Sequence, residues 1–143
     1  MSIKSLNPYL HFNGNAQEAI ALYERTLGAK VEALNRFADV PDSEFTPEHK
    51  NRIMHAALRI GEAVLMLSDG MPSKAVATGD NNFQVCLHFD DVADMSTKFD
   101  ALAAGGHVSF PLSDTFGGAK FGMLTDLHGI RWMFNYQRAP SVA

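Results

Sequence analysis

Apolar and polar positions alternate with period two over residues 8–12 (PYLHF), 30–38 (KVEALNRFA), 52–60 (RIMHAALRI) and 63–68 (AVLMLS). That alternation predicts four strands. Between the first two, GNAQEAIALYERTLG repeats Ala19, Ile20, Tyr23 and Leu27 at helical spacing, the mark of a helix with one buried side. Asn15 with Glu18 three residues on has a capping-box spacing, and Gly28 supplies a left-handed stop. A polar loop, DVPDSEFTPEHK, precedes the third strand, and Gly61-Glu62 reads as a hairpin turn before the fourth.

After a loop over 69–81 carrying Gly70, Pro72 and Gly79, the same order begins again. Residues 83–89 (FQVCLHF) form a strand, Asp91 caps a helix reaching about Ala104, and Gly105-Gly106 ends it. Strands follow at 107–112, 120–126 and 130–136, with a turn at His128-Gly129. Superposing Asn15 on Asp91 gives an offset of 76 for the helices, and Gly61 on Gly129 gives 68 for the terminal hairpins. The pattern predicts an α+β chain of two βαβββ modules, about 6–69 and 82–137, joined by a linker at about 70–81. A lone module would leave a sheet half covered, so both are expected within one domain over 1–143. The alternative is a plain α+β domain whose pseudo-symmetry is accidental.

The chain has 143 residues, 46% hydrophobic and 20% charged, which excludes disordered and fibrous classes. A net charge of −4, a pI of about 5.8 and no run of Lys or Arg argue against a nucleic-acid partner. One cysteine, Cys86, excludes an internal disulfide framework and suits a reducing compartment. With no apolar leader in MSIKSLNPYL and no run of 18 apolar residues, the expectation is a cytoplasmic protein that does not engage a membrane. The glycine pairs at 105–106 and 117–118 lack the spacing of a P-loop or dinucleotide fingerprint.

Three stretches carry a resemblance: PYLHFNGNAQEAIALYERTLGAKV, IMHAALRIGEAVLMLSDGMPS and FGMLTDLHGIRWMFNY. Together they resemble the PhnB-like branch of the vicinal oxygen chelate superfamily, which includes glyoxalases, bleomycin-resistance proteins and extradiol dioxygenases. The Asp126-x-x-Gly129-x-x-Trp132 motif and the LSDGMPS segment favour that branch. The resemblance implies two βαβββ modules whose sheets curl around a shared cavity, commonly in a homodimer. It fixes no single activity, because this fold hosts many chemistries.

Catalytic members of the superfamily hold a divalent metal through His, Glu or Gln at four positions, on the first and last strands of each module. Carried over with offsets of 76 and 68, those positions fall on Pro8, Gln84, Leu65 (or Met66 with a one-residue slip) and Met133. Proline and leucine cannot ligate, and thioethers suit hard cations poorly. The expectation is therefore a site without metal or other cofactor.

If helices cover one face of each sheet, alternation assigns the other face. Met54, Ala56, Leu58 and Ile60 go under the helix, leaving His55, Ala57 and Arg59 towards the cavity. Gln84, Cys86 and His88 share that side, as do Phe121, Met123 and Thr125, Arg131, Met133 and Asn135, and Leu65, Leu67 and Asp69. The candidate ligand-binding set is Arg59, Asp69, Gln84, His88, Phe121, Arg131 and Asn135, with His55 as candidate catalytic base. Such a mixture suits a small organic molecule with one anionic or polar end. Each residue has a structural alternative: a hydrogen-bonded histidine, arginines paired with Asp69 or Glu62, an aspartate capping a turn. Phe116-Gly117-Gly118-Ala119-Lys120-Phe121 reads as a loop able to close over a ligand, or as a solvated connector. Two functions follow. One is a small-molecule binder like the drug-resistance members; the other is a lyase or isomerase using His55, or a displaced metal site of His55, Asp69 and His88.

Overall fold

The computed structural model describes residues 2–40, 46–70, 75–78 and 81–138. Pro72, Gly79 and residues 41–45 of the polar loop lie outside the described residues. Two compact units divide the chain, Met1–Ala77 and Thr78–Ala143.

The first unit runs β1 (Tyr9–His11), α1 (Ala16–Leu27), β2 (Lys30–Arg36), a 3₁₀ turn at Phe37–Asp39, the one-turn α2 (Pro47–Lys50), β3 (Ile53–Ile60) and β4 (Ala63–Ser68). Its four strands lie in the order β1-β4-β3-β2, with β1 parallel to β4 and the other neighbours antiparallel. The second unit runs β5 (Val85–Phe89), α3 (Val92–Ala103), β6 (His107–Asp114), a 3₁₀ turn at Phe116–Gly118, β7 (Lys120–Thr125) and β8 (Arg131–Tyr136). Its order, β5-β8-β7-β6, repeats the first. Two βαβββ modules with mixed sheets are thus present, as the alternation of patterns predicts. Among the described residues no helix is long and apolar enough to cross a membrane.

Each helix covers one sheet face because its apolar stripe has nowhere else to go. On α1, Ala16, Ala19, Ile20 and Tyr23 are buried, and Ile53, Ala56, Leu58, Leu65 and Leu67 are buried in the same unit. On α3, Met95, Phe99 and Leu102 are buried, and Phe99 meets Phe134 edge-on at 5.1 Å between ring centroids. Gly122 on β7 lets this happen: a Cβ there would stand 3.0 Å from Phe99 Cε2 and 2.9 Å from Leu112 Cδ2.

Helix α1 stops at Gly28 with φ 71°, as expected, its N–H bonded to Tyr23 O. Its start differs from the expectation. Asn15 makes no side-chain cap, and its Oδ1 accepts from Asn13 N at 3.1 Å instead. The first-turn amide of Ala16 goes to Asp69 Oδ1, 53 residues away, at 2.9 Å. A carboxylate at this end also meets the positive pole of the helix, so the distant aspartate outcompetes the local amide. Helix α3 keeps a local cap, Asp91 Oδ1 accepting from Asp94 N at 3.0 Å.

The larger correction concerns which way β4 faces. Residues opposite one another on neighbouring strands share a face. Ala56 pairs with Leu67 and Leu58 with Leu65, so both leucines join the helix-covered side, where they are 0% and 3% exposed. Leu65, Leu67 and Asp69 therefore do not lie on the open face; Val64 and Met66 do. Aligning the buried pair Leu10–Leu67 with Leu87–Phe134 gives offsets of 77 and 67 rather than 76 and 68. The slip has a physical origin in the connections. Residues 12–15 join β1 to α1 where only 90–91 join β5 to α3, and a two-residue turn after β3 corresponds to 126–130 after β7. Gly61 and Gly129 are not equivalent points, and one residue of error turns a strand over.

Candidate functional site

The open face of the first sheet gathers an aromatic and imidazole group. Tyr9 and His11, two apart on β1, stack with ring centroids 5.1 Å apart. Across the sheet, Tyr9 Oη lies 2.9 Å from His55 Nδ1. Burial pushes the Tyr9 phenol above its usual value, against a hydrogen bond with Ser68 that lowers it. Met66, opposite both Tyr9 and Ala57, supplies an apolar patch beside them. Arg59 lies at the far end of β3, largely exposed, with its Nε on Glu32 Oε1. That partner was not among those anticipated; it sits on β2 opposite the same stretch of β3 and holds the guanidinium protonated.

Asp69 is committed to the backbone. It is buried, and its Oδ1 accepts from Gly14 N and Ala16 N, both at 2.9 Å, while Oδ2 accepts from Ile53 N at 2.8 Å. One carboxylate thereby ties the ends of β1 and β4 to the starts of α1 and β3. Asp126 does the matching work in the second unit. Its Oδ1 accepts from His128 N at 2.8 Å and Ile130 N at 3.1 Å, and its Oδ2 from Trp132 Nε1 at 2.9 Å. Gly129, at φ 87°, completes that turn. The Asp-x-x-Gly-x-x-Trp motif is a turn lock that satisfies a fully buried indole, and its chemistry is structural.

The open face of the second sheet reads as rows across β5, β8 and β7. Cys86, Met133 and Met123 form one row, and His88, Asn135 and Phe121 the next. His88 Nε2 is 3.6 Å from Cys86 Sγ, and Asn135 Nδ2 is 3.1 Å from His88 Nδ1. Gln84 Nε2 points to Met123 Sδ at 3.6 Å. Phe121 packs on Phe110 with centroids 5.2 Å apart. Arg131 donates to the backbone oxygens of Asn81 at 2.5 Å and Phe83 at 3.5 Å, so it braces the segment entering β5. The sequence-selected residues thus separate by unit. Gln84, His88, Phe121, Arg131 and Asn135 share one face of the second sheet, His55 and Arg59 one face of the first, and Asp69 joins neither. A displaced site of His55, Asp69 and His88 fails on this point, because Asp69 lies on the helix-covered side.

A model of the Glyoxalase/Bleomycin resistance protein/Dioxygenase superfamily matches residues 5–134. The chain belongs to that superfamily. Protein YjdN of Escherichia coli K12 is 39% identical over 140 residues, covering 91% of this chain and 93% of that protein. The crystal structure of protein PA1353 from Pseudomonas aeruginosa is also 39% identical, with a TM-score of 0.84 over 96% of this chain and all (100%) of that one. A PhnB protein from Bacillus cereus shares the fold at 22% identity and a TM-score of 0.76, covering 93% of this chain and 99% of that one.

Against the superfamily's metal positions, the corrected register matters. On the open faces, the positions equivalent to Gln84 and Met133 are Asn7 and Met66, replacing Pro8 and Leu65. Asn7 Nδ2 already donates to Val64 O at 3.0 Å. Two carboxamides and two thioethers supply no anionic oxygen and no imidazole, so this set does not fit a hard divalent cation. Among the described residues, no three of His, Cys, Asp and Glu gather into a metal-holding group. What sequence reasoning missed was Tyr9 beside His55, and it held Met66 only as the one-residue alternative to Leu65. The signal for both was the pairing of β1 with β4, which no local pattern displays.

Proposed function

We propose that the protein binds a small, uncharged aromatic or heteroaromatic molecule on its open sheet faces, without a hard divalent metal. The observation that supports this most is the donor set at the four superfamily positions, Asn7, Met66, Gln84 and Met133, where apolar sulfur and neutral amides stand in place of charged ligands. On the first unit's open face the ring of Tyr9 and the thioether of Met66 stand with His55; on the second unit's, Phe121, Met123 and Met133 stand with Gln84 and Asn135, and each is the mixture of apolar surface and hydrogen-bonding groups that orients a ligand while burying it. The arginines contribute less than the sequence suggests. Arg59 is neutralised by Glu32 and Arg131 serves two carbonyls, so a polar ligand end fits better than an anionic one.

The test is a thermal-shift screen of small aromatic compounds on the tag-free chain, with and without manganese(II) and iron(II). Stoichiometric binding indifferent to these ions is the expected result. Ligand binding or turnover that requires either ion would overturn the reading. The hydrogen-bonded Tyr9–His55 pair favours one second reading, proton transfer by His55 on a bound carbonyl compound. If so, His55→Ala lowers turnover by far more than it weakens ligand affinity; full turnover in that variant removes His55 from the chemistry.

A further inference from the structure

We propose that the open face of the second unit holds one soft monovalent metal ion, copper(I) or silver(I), between Cys86 Sγ and His88 Nε2, with Met133 Sδ as third donor. This goes beyond organic-ligand binding and stands or falls separately from it. Cys86 and His88 are two apart on β5, so strand alternation sends both to the same side, and both are exposed. Their separation of 3.6 Å is that of a sulfur hydrogen bond, and it also brings the two donor atoms close enough to share one ion. Sulfur at about 2.3 Å and nitrogen at about 2.0 Å from one metal, at a tetrahedral to trigonal angle, stand about 3.5 Å apart.

The third donor comes from pairing. Met133 is the direct partner of Cys86 on β8, and Met123 the direct partner of Met133 on β7, so three sulfur side chains lie in one row across the sheet. A thiolate, a thioether and an imidazole select soft ions over magnesium, calcium or manganese. Charge selects further. The ion takes the place of the Cys86 thiol proton, which passes to solvent; the thiolate so formed balances a monovalent ion on a half-apolar face, whereas a divalent ion would keep an unbalanced positive charge, since no carboxylate joins this row.

Asn135 completes the arrangement as a positioning residue. Its amide nitrogen and oxygen exchange places by a half-turn about the terminal bond, so Oδ1 can accept from His88 Nδ1–H at the observed 3.1 Å. That tautomer leaves the Nε2 lone pair directed at the space beside Cys86 Sγ. Metal-bound imidazoles are ordinarily held from behind in this way.

The experiment is an anaerobic titration of the tag-free full chain with copper(I) against a chromophoric copper(I) chelator. Near one copper per chain is expected in the wild type, and none above background in Cys86→Ser. Asn135→Leu is expected to weaken retention about ten- to a hundredfold, and Asn135→Asp, whose carboxylate still accepts from Nδ1–H, to restore it. A merely structural role for Asn135 would not give that rescue. In the wild type, one equivalent of silver(I) should block alkylation of Cys86 by iodoacetamide, which needs no variant to fold. No stoichiometric copper, unchanged retention in Cys86→Ser and His88→Ala, or a thiol still alkylated under silver(I) would each overturn the proposal, and none of them bears on organic-ligand binding.

Discussion

The two units repeat each other on their covered faces and diverge on their open ones. Leu10 and Leu67 in the first match Leu87 and Phe134 in the second, and each sheet is tied at its edge by a buried aspartate, Asp69 or Asp126. Facing outward, the first sheet carries Tyr9, His11, His55 and Met66, and the second carries Cys86, His88, Met133 and Asn135. The repeated half is what packing demands of any βαβββ module. The divergent half is free of that demand, and there the chemistry of this chain is written.

The comparison is broken most readily at the aspartates. Asp69→Ala strands three backbone N–H groups at 2.8–2.9 Å from the lost oxygens, two of them buried and that of Gly14 part-buried. At about 1–3 kcal/mol for each orphaned donor, a loss of about 4 kcal/mol or more in urea unfolding is expected. His55→Ala, on the open side, is expected to cost under about 1 kcal/mol. Equal costs would mean that the two faces are not distinct. Next comes the register of β4. Leu67→Ala should cost about 3 kcal/mol and its neighbour Met66→Ala under about 1 kcal/mol, the reverse of what a one-residue slip predicts. Smaller again is Gly122→Ala, where Phe99 and Leu112 must give way; about 2 kcal/mol is expected, measured by the same denaturation.

The smallest effect is a pH dependence. Burial raises the Tyr9 phenol, so the folded chain holds that proton more tightly than the unfolded one. The resulting stability is fully present below the ordinary tyrosine range and is lost as pH rises through the raised value. Tyr9→Phe should therefore narrow the stability gap between mildly and strongly alkaline buffer. A wider gap in the variant would contradict the assigned direction.

Strand and helix existence was legible because period-two and helical patterns both run long here, and Ala63–Ser68 coincides with its strand. The superfamily was legible from three long stretches taken together, and Asp126, Gly129 and Trp132, which favour its PhnB-like branch, owe their spacing to the turn they lock. The facing of β4 was not, because it depends on pairing with β1 and β3, and a pattern of AVLMLS is apolar on both sides. Asp69 looked like a ligand for the same reason that Asn15 looked like a cap. Both readings are local, and the bond that settles them spans 53 residues. On the second sheet the alternation is unambiguous, so the shared face of His88, Phe121 and Asn135 is legible, whereas the contact of Cys86 with His88 is not.

The most direct test of the central claim is a spectrum of the chain labelled with ¹³C at the methionine methyls, recorded with the strongest compound from the aromatic screen. Met66, Met123 and Met133 lie on the open faces, while Met95 is fully buried on α3. The account predicts saturable shifts of one or more of the open-face methyls with Met95 unmoved. Saturable binding that moves Met95 and leaves the other three in place would contradict it.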